Sequence, residues 1–195
     1  MKKLFTILVI TIALLASYSI SYAVSPQQNN RTRMQQNQYK TVAPKYAKWQ
    51  YPTAIKTYIP PNHKRTTMMK HAFAEWSLLT KNKIVFKYVQ NPKTAQLVVS
   101  FVQTIPNADR EIGLTKTKTV GDSIVFSEIL IADKASSGHV LSNDNVYTVM
   151  LHEIGHAIGI FEHSNIPTSI MFPVEDDVQE ISKSDLKTLA DIYGW

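Results

Sequence analysis

HEIGHAIGIFEHS, residues 152–164, sets two histidines four positions apart with a glutamate directly after the first. On a helix, His152 and His156 stand on neighbouring turns of one face. Both imidazoles then reach a single ion at the roughly 2.0–2.1 Å of a zinc–nitrogen bond. Glu153 lies one step round the helix, where its carboxylate reaches water beside the metal without ligating the metal itself. Gly159 permits the left-handed backbone that ends a helix and reverses the chain. Past that turn His163 brings a third nitrogen, while Glu162 offers a carboxylate as the alternative third ligand; zinc accepts either. Three protein ligands and one open position make the layout of a catalytic zinc site.

The flanks fit a helix in that place. Ser142 to Asn145 supplies capping residues, and Val146, Val149, Met150 and Ala157 form the apolar side that packs on a sheet. Upstream, Met69, Phe73 and Trp76 recur at helical spacing, predicting a helix from about Thr66 to Thr80. Strands are expected at Ile55–Ile59, Ile84–Tyr88, Leu97–Val102, Ile112–Lys118 and Ser123–Ala132. The last of these is largely apolar, as in a strand buried on both faces. Ser182 and Asp185 have capping-box spacing at the start of a final helix. The order is strand, helix, four strands, helix, irregular segment and helix, an α+β arrangement.

Several of these segments together resemble the matrixins, a family of the metzincin clan of zinc peptidases. The resemblance rests on H-E-x-x-H with Gly159 and the pair His163-Ser164, on IMFP at Ile170–Pro173, and on ISKSDLKTLADIYG at Ile181–Gly194. HAFAEWS around Trp76 is similar to the first helix of that domain, so the likeness runs from about Ala43 to Trp195. In one respect the chain departs from the family. The family's third histidine falls ten residues after the first, where this chain has Glu162, and His163 comes one later. An extra loop residue accommodates the shift and favours His163.

The resemblance implies a zincin-like catalytic domain: a twisted, mostly parallel five-stranded sheet with three helices and one zinc in a cleft beside it. It implies a secreted endopeptidase in which zinc-activated water attacks a peptide bond and Glu153 is the general base. Met171 belongs to the family's Met-turn, an apolar floor beneath the ligands. Extended protein or peptide substrate would lie along an edge strand at Ile112, Gly113 and Leu114, against a wall at Pro173 and Val174. Glu175 replaces an aromatic often found in that wall, which leaves side-chain preference open. Calcium binding occurs in the family, although no loop here has a recognisable calcium pattern.

The amino terminus points to export. Lys2 and Lys3 precede an apolar run from Leu4 to Ala16, and Ser21-Tyr22-Ala23 ends a small and polar stretch. That is a signal peptide over residues 1–23, too short in its apolar core for a stable membrane span. The destination is outside the cell or the periplasm. Residues 24–42, rich in Gln and Asn, read as a flexible linker or short propeptide, and residues 43–195 as the peptidase domain. With no cysteine in the chain, disulfides, thiol ligands and cysteine-based latency are all excluded. The formal charge of +6 is scattered rather than striped, which argues against nucleic-acid binding. A monomer is expected. The alternative function is an exported zinc-binding regulatory protein of the same fold without turnover, and the intact Glu153 argues against it.

Overall fold

The computed structural model describes residues 17–22, 46–108, 110–173 and 178–195. The expected signal core at Leu4–Ala16, the segment 24–42, and Val174 and Glu175 lie outside the described residues. Strands are β1 (Ser17–Tyr22), β2 (Lys48–Trp49), β3 (Ile55–Tyr58), β4 (Phe86–Tyr88), β5 (Leu97–Val102), β6 (Gly113–Val120) and β7 (Ser123–Ala132). Helices are α1 (Thr66–Leu79), α2 (Asn143–Ala157) and α3 (Lys183–Tyr193). The fold is α+β, as expected.

Five strands form the body of the sheet in the order β6-β7-β5-β3-β4. All pair in parallel except β6, which returns antiparallel on β7 through a hairpin at Gly121-Asp122. Two additions lay beyond the reach of sequence pattern. The two-residue β2 pairs with the start of β7, and β1 pairs antiparallel with β6 over its full length. Strand β6 was expected to be a free edge, yet here Ser17–Tyr22 meets it from Thr119 to Leu114. An open strand edge presents unpaired N–H and C=O groups, and an extended segment of the same chain satisfies them. Strand β7 also departs from expectation in its first half. Val125 and Phe126 are exposed there, and only the stretch from Ile129 to Ala132 is buried on both faces.

Helix α1 packs Met69, Phe73 and Trp76 into the core, all fully buried. The Trp76 indole N–H donates to the Leu151 carbonyl at 2.9 Å, so the ring gives up no hydrogen bond when it leaves water. That bond also fixes α1 against α2. At the other end of α2, the Trp49 indole N–H donates to Ala157 O and the Tyr193 hydroxyl donates to Ile158 O, each at 3.0 Å. The last turn of α2 is thereby tied to β2 and to α3.

Candidate metal centre

Helix α2 begins where the sequence places its cap: the Ser142 hydroxyl accepts from Asn145 N at 3.2 Å. It ends at Gly159, whose φ of +117° favours glycine. A Cβ there would come within 2.3 Å of the Ala47 carbonyl, so the position has no room for a side chain either. This turn also does chemical work. It swings the Ile160 carbonyl under His156 Nδ1, at 2.7 Å. The Ile170 carbonyl does the same for His152 Nδ1, also at 2.7 Å.

A carbonyl only accepts, so each Nδ1 must carry the proton, and each Nε2 is left with a bare lone pair. Those lone pairs converge. His152 Nε2 and His156 Nε2 are 3.0 Å apart, and His163 Nε2 is 3.3 Å from His156 Nε2. Two donors on one tetrahedral zinc at the usual bond length stand about 3.3 Å apart. Two acceptor nitrogens this close repel unless a cation lies between them, so the donor set fits a metal ion of the zinc type. Burial pushes the His152 imidazole down to about 3, helped by neighbouring His163. It drives His156 well below its ordinary value, and desolvation of the inner side of the otherwise exposed His163 lowers that ring to about 4. All three rings are neutral at neutral pH, the form that ligates.

Glu162 is exposed and stands outside the three-histidine group; with His163 it lines a cavity of about 170 Å³ between α3 and the segment from Ile160 to Met171. Glu153 is fully buried and accepts a hydrogen bond at Oε2 from the Thr115 hydroxyl at 2.6 Å. A Cβ on Gly113 would fall 2.6 Å from Glu153 Oε1, so β6 approaches the acid at a point only glycine allows. Of the residues expected to contact substrate, Ile112 and Leu114 are buried where β6 begins, and Pro173 is half-buried at the end of the described loop. His63 stacks on Phe101 with ring centroids 4.0 Å apart.

Met171 passes beneath α2. Its thioether occupies space that any side chain at Gly155 would need: a Cβ there would be 2.4 Å from Met171 Sδ. The turn carrying Met171 is held from α3 by Asp185. The Asp185 carboxylate accepts from Ile170 N at 3.1 Å, from Ser182 N at 2.8 Å and from the Ser169 hydroxyl. Sequence reasoning found Asp185 as half of a capping box, which it is. It missed the second role, in which the same acid anchors the residue whose carbonyl orients His152. Thr115 was missed as well, because an alternating Thr-Lys run signals a strand and nothing more.

Comparison with known proteins agrees with this geometry. The Matrixin family model matches residues 44–194. A probable matrix metalloproteinase 095L of Invertebrate iridescent virus 3 is 29% identical over 140 residues, covering 66% of this chain and 37% of that protein. Karilysin of Tannerella forsythia is 26% identical over 170 residues, covering 76% of this chain and 34% of karilysin. The chain thus spans about a third of the length of these curated relatives. A zinc-type donor set from α2 and the loop beyond it, a methionine floor beneath the helix, the mostly parallel sheet and a family match over nearly all of the described residues lead to one conclusion: the chain belongs to the matrixin family of zinc metallopeptidases.

Proposed function

We propose that this chain is an exported zinc endopeptidase in which Glu153 is the general base. The observation that carries the reading is the convergence of three imidazole Nε2 atoms, two of them on the helix that also carries the fully buried carboxylate of Glu153. A zinc ion held by His152, His156 and His163 would supply a Lewis acid that polarises the scissile carbonyl and acidifies water. Glu153 takes the proton of the attacking water at a carboxylate oxygen and returns it to the departing amide nitrogen. The carbonyls of Ile160 and Ile170 keep the two helix imidazoles in the tautomer that leaves Nε2 free. Met171 closes the floor with an apolar group, which keeps water off the rear of the site.

Substrate would be an extended stretch of protein or peptide added to β6 by main-chain hydrogen bonds. The pairing of β1 supports this, since a strand running antiparallel to β6 is what that edge receives in the structure. Removal of residues 1–23 on export would free the edge. Residues 24–42 would then be a linker or short propeptide ahead of a monomeric catalytic domain. The names of the viral relative and the family are those of peptidases, which supports turnover over metal storage.

The direct test is zinc content together with casein or gelatin cleavage, for the mature protein and for Glu153→Ala. One equivalent of zinc in both, with chelator-sensitive cleavage only in the wild type, is the expected result. Zinc in both without cleavage of either substrate would move the reading to a zinc-binding regulatory protein.

A further inference from the structure

Strand β6 reads Thr115-Lys-Thr-Lys-Thr119, and its three threonines all face inward and are buried. A buried strand position is served at least as well by valine, and a buried hydroxyl is a cost unless it is hydrogen-bonded. Thr117 meets that requirement within the sheet, 3.0 Å from the Ser127 hydroxyl. Thr115 does not use the sheet. It reaches across to α2 and bonds the side chain of Glu153 at 2.6 Å.

From this contact we propose that Thr115 is a positioning residue for Glu153, holding the general base by one oxygen so that the carboxylate cannot swing out of line. The proposal rests on the reading of Glu153 given above. A separation of 2.6 Å is within the short range of an O–H···O⁻ bond, the strong charge-assisted kind. The hydroxyl also lies 3.0 Å from the Glu153 main-chain carbonyl, but it has one proton, and the nearer carboxylate oxygen at 2.6 Å is the better acceptor. The β6 backbone at Gly113 abuts the other oxygen. The acid is therefore gripped along the strand that substrate would join, and Gly113 belongs both to the grip and to that edge. Proton transfer demands hydrogen-bond reach to a particular water, and a carboxylate free to rotate spends less time in that geometry.

Thr115→Val keeps the shape and removes the hydroxyl, while Thr115→Ser keeps the hydroxyl. In the zinc-loaded mature protein, Thr115→Val should lower kcat by about ten- to a hundredfold, the range for losing an outer orienting partner, with KM unchanged. Thr115→Ser should recover to within about threefold of the wild type. A second readout needs no turnover: acetohydroxamate binds a zinc ion and places polar hydrogens against the neighbouring carboxylate. Its affinity, measured by calorimetry, should weaken by about fivefold or more in Thr115→Val and return in Thr115→Ser. Unchanged kcat and acetohydroxamate affinity in Thr115→Val would overturn the proposal. So would equal losses in the valine and serine variants, or loss of zinc itself. A wild type that cleaves nothing, but whose acetohydroxamate affinity still follows the hydroxyl, would defeat the peptidase reading and leave the positioning role standing.

Discussion

Helix α2 buries eleven of its fifteen residues, among them His152, Glu153 and His156, whereas α3 buries only Asp185 and Leu189 of its eleven. Both helices bear on the turn at Met171, one from above through Gly155 and one from behind through Asp185. In α2 the buried polar side chains each have a partner: a carbonyl for each imidazole, Thr115 for the acid and the Asp144 carbonyl for Thr148. In α3 a single buried acid makes the connection to the Met171 turn, Tyr193 ties the end of the helix to Ile158, and the remainder is an amphipathic surface helix with a capping box and a left-handed Gly194 at its end. A helix can thus belong to a site through many residues or through one.

That contrast is open to direct attack. The largest effect is expected on the α2 side. His156→Ala removes one of the three proposed ligands, so zinc content measured after dialysis should fall to near zero and cleavage by at least about a thousandfold. Asp185→Ala strikes the connection from α3 to the Met171 turn. It strips the acceptor from Ile170 N, Ser182 N and the Ser169 hydroxyl, and urea unfolding of the zinc-free protein should show a loss of about 3 kcal/mol. If zinc affinity stays at the wild-type value in this variant, α3 is a structural buttress alone. Weaker zinc binding would make Asp185 part of the site at a distance, through the Ile170 carbonyl.

Gly155→Ala tests the same turn from the other side. The new Cβ would collide with Met171 Sδ, and overpacking of this kind costs about 1–3 kcal/mol in thermal or chemical unfolding. A calibration far from both helices is Asp133→Asn. The Lys64 ammonium, 2.9 Å away, holds the Asp133 carboxyl below its usual range, with smaller help from nearby Arg65. A group with a depressed carboxylate value stabilises the fold above its unfolded value and loses that contribution as pH falls through the folded one. The partner Lys64 is solvent-exposed, so the wild type should exceed Asp133→Asn by less than about 1 kcal/mol at pH 7. The gap should close on acidification.

The metal helix was legible because metal geometry imposes a spacing that sequence preserves: four residues between ligands, glycine at the turn. The late third histidine was legible only as a pair of options, since the path of the loop beyond Gly159 decides which side chain faces inward. That path is set by Ile160 N bonding back to Gly155 O at 3.0 Å, a main-chain feature with no side-chain signature. Five strands and three helices followed from periodicity and caps. Strand β2 did not, because two residues carry no pattern and the strand exists by virtue of its neighbour β7. Asp185 and Thr115 show a different limit. Each had a sufficient local explanation, a cap and a strand position, and the second role lay with a partner distant in sequence.

The parallel pairing of the sheet also bears on how the molecule comes to be folded. Lys48 finds Ser123, Thr57 finds Leu97 and Leu97 finds Ser127, so the sheet closes only when segments widely separated along the chain have met. Such non-local topologies fold slowly, because the entropy of loop closure comes before the contacts that offset it. No disulfide holds a half-formed sheet together in a chain without cysteine. The three histidines, by contrast, lie within one short stretch around a single turn. They are thus local in the chain, whereas the partner of the Glu153 carboxylate, Thr115, lies on β6 and is brought to it only by the assembled sheet.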